Sequence, residues 1–156
     1  MASSYTPLGI ELQATGENAG TWGTKTNTNL QIIEQISGGY IAKSIAGGAQ
    51  TTALAVSDGS TGAELAHRII EFTGTITGNQ IVTIPIDVED FYILKNSTSG
   101  AYSVQFKYAS GSDESFAIAN TSLSPLSVAA KVTVPPEPEV YLNCTVCDPD
   151  VEFLKK

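Results

Sequence analysis

From Tyr40 to Val134 the apolar residues recur at a period of two, and glycine-rich turns cut the pattern at short intervals. This pattern confines most of the chain to β-structure, because a helix would need its apolar residues every three or four positions. The clearest stretch runs from Arg68 to Thr77 and again from Gln80 to Pro85, with Gly78-Asn79 between. A Gly-Asn pair between two β-branched runs predicts a two-residue hairpin. Asp90 to Asn96 and Ala101 to Tyr108, joined by Ser97-Thr98-Ser99-Gly100, predict a second hairpin. Alternation there places Tyr102, Val104, Phe106 and Tyr108 on one face and Ser103, Gln105 and Lys107 on the other. Tyr40 to Ile45, Thr51 to Val56, the pair Phe116 and Ile118, and the group Val128, Val132 and Val134 supply shorter strands. Ala63 to His67 reads as the lead-in to the strand at Arg68. Strands at roughly ten-residue spacing predict a mainly β fold, an antiparallel β-sandwich or a barrel-like domain.

The first 39 residues follow other rules. Residues 3 to 15 read as an extended arm, since Pro7 disfavours helix at Thr6 and Ile10 and Leu12 alternate with Glu11 and Gln13. Thr15 to Gly23 holds three glycines, one Asn and two Thr, which is turn chemistry around the chain's single tryptophan. Trp22 carries a large apolar area and a donor that seeks a partner, so it either plugs this chain's own core or anchors a subunit contact. A short amphipathic helix follows. Thr24, Thr26 or Asn27 can cap it, Leu30, Ile33 and Ile36 form its apolar stripe with Gln31 and Ile32 flanking, and Ser37-Gly38-Gly39 stops it with a left-handed glycine. A single stripe on so short a helix is marginal in water. It must pack on the following sheet or on the same helix of partner chains.

Composition narrows the function. Eight Lys plus Arg stand against sixteen Asp plus Glu, a net charge of −8. Nucleic-acid binding draws its affinity from cations on phosphates, so no nucleic-acid partner is expected. No apolar run approaches the roughly 18 residues of a membrane span, and the N-terminus has no signal-peptide pattern, so no membrane insertion is expected. Cys144 and Cys147 form a lone C-x-x-C. Zinc wants four ligands and the single histidine, His67, is remote in sequence, so no metal or cofactor is expected. Asp87, Glu89 and Asp90 lack the glycine and ligand spacing of a calcium loop. With one histidine, no nucleophile elbow and no phosphate-binding loop, catalytic residues are expected to be absent. His67 reads as a surface or interface residue. Asn96, Asn120 and Asn143 sit in N-x-S/T sequons that, without a secretory signal, read as chance.

Two blocks carry a family resemblance. One reads GENAGTWGTKTNTN from Gly16 to Asn29 and continues into the helix to Gly39. The other spans Ile70 to Gly111, with IIEFTGTITGNQIVTIP and YILKNSTSGAYSVQFKYASG. Together they resemble the virion-proximal region of bacteriophage tail-fibre and related appendage proteins, especially those of phages of marine cyanobacteria. The resemblance implies a non-catalytic structural protein of the virion, a homotrimer whose N-terminal part docks on other virion proteins of the tail, fibre or capsid. Trp22, Leu30, Ile33 and Ile36 would then be its docking or oligomerisation residues. After Gly111 the chain departs from the fibre pattern, which favours a short tail fibre or fibre adaptor. A capsid-decorating protein is the alternative, and a β-sandwich that binds a host surface glycan is a third.

The expected organisation is an N-terminal arm, Trp loop and helix over 1–39, an antiparallel β domain over 40–134, and a tail over 135–156. Pro135-Pro136-Glu137-Pro138-Glu139 forms a stiff hinge before that tail. Beyond it the tail alternates apolar and polar residues, as an exchanged or added strand does.

Overall fold

The computed structural model describes residues 2–88, 90–109, 115–118 and 128–132. Glu89, Asn120, Val134, the proline hinge, Asn143 and both cysteines lie outside the described residues. The protein is mainly β with a single α-helix among the described residues. A small antiparallel pair, β1 (Ser4–Tyr5) and β2 (Glu11–Leu12), precedes the helix α1 (Trp22–Gly38). The remaining strands are β3 (Tyr40–Ser44), β4 (Gln50–Ala53), β5 (Ile69–Thr75), β6 (Gln80–Ile84), β7 (Asp90–Ser99), β8 (Val104–Tyr108), β9 (Ser115–Ile118) and β10 (Val128–Val132). They form two four-stranded sheets, ordered β10-β7-β5-β3 and β4-β6-β8-β9.

Neither expected hairpin is present. β5 and β6, which flank Gly78-Asn79, lie in different sheets, and so do β7 and β8. Instead β3, β5 and β7 pair in parallel in one sheet, and β4, β6 and β8 pair in parallel in the other. Each consecutive pair is therefore a rung, in which one strand turns a corner and enters the facing sheet. Three such rungs stack in register, with Tyr40 beside Ile69 beside Ile93, and Gln50 beside Gln80 beside Val104. Among the described residues, antiparallel pairing is confined to β1–β2 and to the strands β9 and β10 that flank the third rung. The sheets are thus mixed rather than antiparallel.

The reason lies in the partners of the backbone. A hairpin satisfies its hydrogen bonds between its own two strands, whereas a rung satisfies them with the rungs on either side. Each corner is built to stack. Ile45 N donates to Thr73 O at 3.0 Å, Gly47 N to Thr75 O at 3.0 Å, and Ile76 N to Ser99 O at 2.8 Å. Gly100, at φ +119°, sits so close to the second rung that a Cβ there would lie 2.2 Å from Ile76 O. Only glycine fits both that conformation and that gap.

The two sheets enclose one apolar core. Ile70, Phe72 and Leu94 from the first sheet meet Val82, Ile84, Val104 and Phe106 from the second, all essentially inaccessible to water. The alternation read for β8 holds, since Val104, Phe106 and Tyr108 are buried while Gln105 is exposed. Tyr102 precedes the strand and remains in solvent. β4 ends at Ala53, so Leu54, Ala55 and Val56 lie beyond the strand that the sequence predicted over Thr51 to Val56. Ala63 to His67 contains a 3₁₀ turn, Glu64–Ala66, whose Leu65 joins this core while Ala66 is buried in a second cluster. Tyr92 is wholly buried in that region and its Oη donates to Leu65 O at 2.9 Å. Burial pushes its phenol pKa up.

Candidate docking surface

Helix α1 begins at Trp22 itself, so the tryptophan sits in the first turn and not in a loop. None of the three expected caps is used. Thr21 precedes the helix, and its hydroxyl donates to Asn18 O at 3.3 Å instead of capping. At the other end Gly39 is extended rather than left-handed, at φ −67°. Its N–H donates to Gln35 O at 2.7 Å, and the carbonyl of Gly39 in turn accepts from Ile69 N at 2.8 Å. The helix therefore runs directly into the first rung.

The face that packs inward is not the expected stripe. Ile32, read as a flanking residue, is fully buried with Ala63 and Ala66, and Ile10 and Ile36 pack against them. Helical geometry turns about 100° per residue, so Lys25, Asn29, Ile32 and Ile36 share this side. Trp22, Ile33 and Leu30 fall on an adjoining stripe about 80° wide by the same geometry. That stripe faces solvent, with Trp22 64 %, Leu30 58 % and Ile33 48 % exposed. Of the four residues predicted to act in docking or oligomerisation, three lie together on the outer surface and Ile36 lies at the inner contact. Between the C-terminal half of the stripe and Thr61 runs an open groove lined by Leu30, Ile33, Glu34 and Gly38.

Polar contacts that the sequence reading missed hold the helix against the arm. Asn29 grips the backbone of β2 at both ends of its amide. Its Oδ1 accepts from Glu11 N at 3.0 Å and its Nδ2 donates to Glu11 O at 2.9 Å. The Glu11 side chain is buried between Asn18 Nδ2 at 2.9 Å and Lys25 Nζ at 3.2 Å. The Asn18 amide and the Lys25 ammonium hold the Glu11 carboxyl below its usual pKa, while burial opposes them. The arm is therefore turned over relative to its hydropathy, since Glu11 points in and Leu12 points out. No signal in the sequence marks this, because Asn18, Lys25 and Asn29 meet Glu11 only once the arm packs on the helix.

His67 is buried, not at the surface, and its Nδ1 is 2.8 Å from Ala63 O. It fills the joint where the helix ends, because a Cβ on Gly39 would lie 3.0 Å from its Cδ2. Asp87 is exposed and Asp90 is paired with Arg68 Nη1 at 2.8 Å. Arg68 also donates to Phe91 O and lies over the Phe91 ring, 5.9 Å from its centre. Asn96, the one sequon residue among the described residues, is buried, and its Nδ2 donates to Ile118 O at 3.0 Å.

The outer face of the first sheet carries a polar cluster across all three rungs. Glu71 on β5 accepts from Tyr40 Oη on β3 and Ser97 Oγ on β7, and pairs with Lys95 Nζ at 2.8 Å. Lys95, then Ser97 and Tyr40, pull its pKa down to about 2. Among the described residues, no group of three or more His, Cys, Asp or Glu side chains is placed to hold a metal ion. No helix among them is long and apolar enough to cross a membrane. In comparisons with known proteins, no family model, no curated protein and no solved structure matches the chain.

Proposed function

We propose that this chain is a non-enzymatic structural protein of a bacteriophage virion, a short tail fibre or fibre adaptor that docks through its N-terminal region. The observation that supports this reading best is the stripe of Trp22, Leu30 and Ile33 on the outside of α1. Large apolar side chains set side by side on a surface mark a contact with another chain, and tryptophan is prominent among the residues that carry such contacts. The Gly16-to-Asn29 block that resembles phage appendage proteins leads straight into this stripe, so the two arguments meet on the same residues.

The test is the solution mass of the protein by light scattering, with Trp22→Ala alongside. A trimer whose dissociation constant rises at least about tenfold in the variant supports the reading, the loss of one well-buried tryptophan contact being worth more than 1.4 kcal/mol. A wild-type monomer at all concentrations overturns the self-assembling trimer. Copy number in a purified particle then separates a fibre or adaptor, with tens at most, from a capsid-decorating protein with many.

A further inference from the structure

Helix α1 carries a plug at one end and a socket at the other. At its start Trp22 stands in solvent, and its Nε1 donor has no partner among the described residues. Taking an indole out of water is favourable, provided that its N–H meets an acceptor. At the other end lies the open groove between the last turns of the helix and Thr61, about 920 Å³ in volume. Leu30 and Ile33 give it an apolar wall. Gly38 keeps it wide, because a Cβ built there would meet no atom within 4 Å.

The groove supplies what the indole lacks. Gln35 lines it, and the Oε1 of Gln35 is shut off from water with no donor of its own. A buried acceptor without a donor is costly, so a new donor at this place is a gain. The terminal torsion of a glutamine is soft, and a turn about it brings the oxygen to the groove. No lysine or arginine lines the groove to compete for that acceptor.

Within one chain the plug and the socket cannot meet. Trp22 and Gln35 lie on the same helix, about 20 Å apart at 1.5 Å per residue. An indole reaches only a fraction of that distance from its own backbone.

We propose that the groove receives Trp22 of a second copy of this chain, with Leu30 and Ile33 packed on the ring and Gln35 Oε1 accepting from Nε1. The proposal rests on the self-assembly read from the exposed stripe and adds the mode of contact. Two different patches meet, so the contact is either made twice across a two-fold axis or passed round a ring. The trimer of the proposed function requires the ring. Parallel helices set side by side would instead bring Trp22 against Trp22 and leave Thr61 uncovered.

The experiment mixes isotope-labelled and unlabelled copies of the full chain and records NMR contacts between them, with solution mass measured on the same samples. Contacts from the Trp22 indole of one copy to Ile33 and Thr61 of another are expected. Trp22 is the chain's single tryptophan, so its emission reports on this site alone and should lie to the blue of that in the unfolded chain. Gly38→Glu fills the groove at a position with room for a side chain, so the fold is kept. The association constant should fall at least about tenfold in that variant, and Trp22 emission should return to that of an exposed residue. Should the variant unfold, the contacts between unaltered copies decide the matter. A trimer whose Trp22 makes no contact with a neighbour's Thr61 overturns the groove and leaves the trimer standing. So does association that a folded Gly38→Glu leaves unchanged. A dimer that shows the contacts keeps the groove and overturns the trimer. A monomer at all concentrations overturns both.

Discussion

The stacked sheets and the N-terminal helix are held by different forces. Among the described residues the sheets share one cluster of fifteen buried apolar side chains, from Ile45 to Ile118. The helix contributes to a cluster of only three, Ile32, Ala63 and Ala66. Its attachment relies instead on polar links, namely Asn29 on β2, Lys25 on Glu11, and the Gln35 carbonyl shared by Gly39 N and Arg68 N. Apolar burial scales with area and supplies most of a fold's stability, whereas an intramolecular hydrogen bond nets about 1 kcal/mol. The difference teaches that the sheets are the body of the molecule and the helix is a presented element, with its most apolar side chains left outside.

The largest test of this contrast is Phe72→Ala. It removes a fully buried aromatic from between the sheets and should cost about 3–5 kcal/mol in denaturant unfolding. Gly100→Ala should follow at about 2–3 kcal/mol, because it combines a disfavoured φ with a clash against Ile76 O. A loss below about 1 kcal/mol in that same test would mean that the corners are not packed one on another. Asn29→Ala should cost about 1–2 kcal/mol and act locally. Exchange should rise at Glu11 while β5 and β6 stay protected; a uniform rise would show that helix and sheets melt as one unit.

The smallest effect is expected with pH. The folded pKa of Glu71 lies below its ordinary value, so its stabilising contribution is complete above about pH 4.5 and fades as pH falls toward about 2. Thermal unfolding of the native chain should therefore drop across that window, and Glu71→Gln should flatten the drop slightly. An unchanged slope would assign the acid sensitivity to other carboxylates, among them Glu11 and Glu64, whose pKa values are also lowered.

Strand content was legible in the sequence, and pairing was not. Alternation reports which side chains face inward, and it identified Val104, Phe106 and Tyr108 correctly. It is blind to whether a strand bonds to the one after the turn or to a strand some thirty residues away. One local signal did exist. Gly48-Ala49-Gln50 and Gly78-Asn79-Gln80 share a Gly-x-Gln pattern thirty residues apart, and both mark a corner. Gly78-Asn79 taken alone satisfies a hairpin rule equally well, and the repeat is what separates the two. In the helix, the periodicity of Leu30, Ile33 and Ile36 was real, but Leu30 and Ile33 face outward. Ile32 takes the inner side because the helix docks on the small residues Ala63 and Ala66. Glu11 and Asn29 gave no warning, since polar residues in an arm and on a helix ordinarily face water.

The stacking has a kinetic consequence. Every rung-to-rung pairing joins residues between 24 and 30 positions apart, as in Ile69 to Ile93 and Gln50 to Gln80. A chain built of hairpins starts from turns that close within a few residues and then zips. Here the local pairs, β1–β2 and β8–β9, lie outside the rung-to-rung ladders, and the first contact between rungs must close a long loop before any ladder bond is gained. Folding is accordingly expected to be slow for a chain of this length, with the strands of the rungs unpaired with one another until such a loop closes. The middle rung, which must find a neighbour on each side, is where the search ends: once β5 and β6 are seated, the rungs on either side each have a surface to settle on.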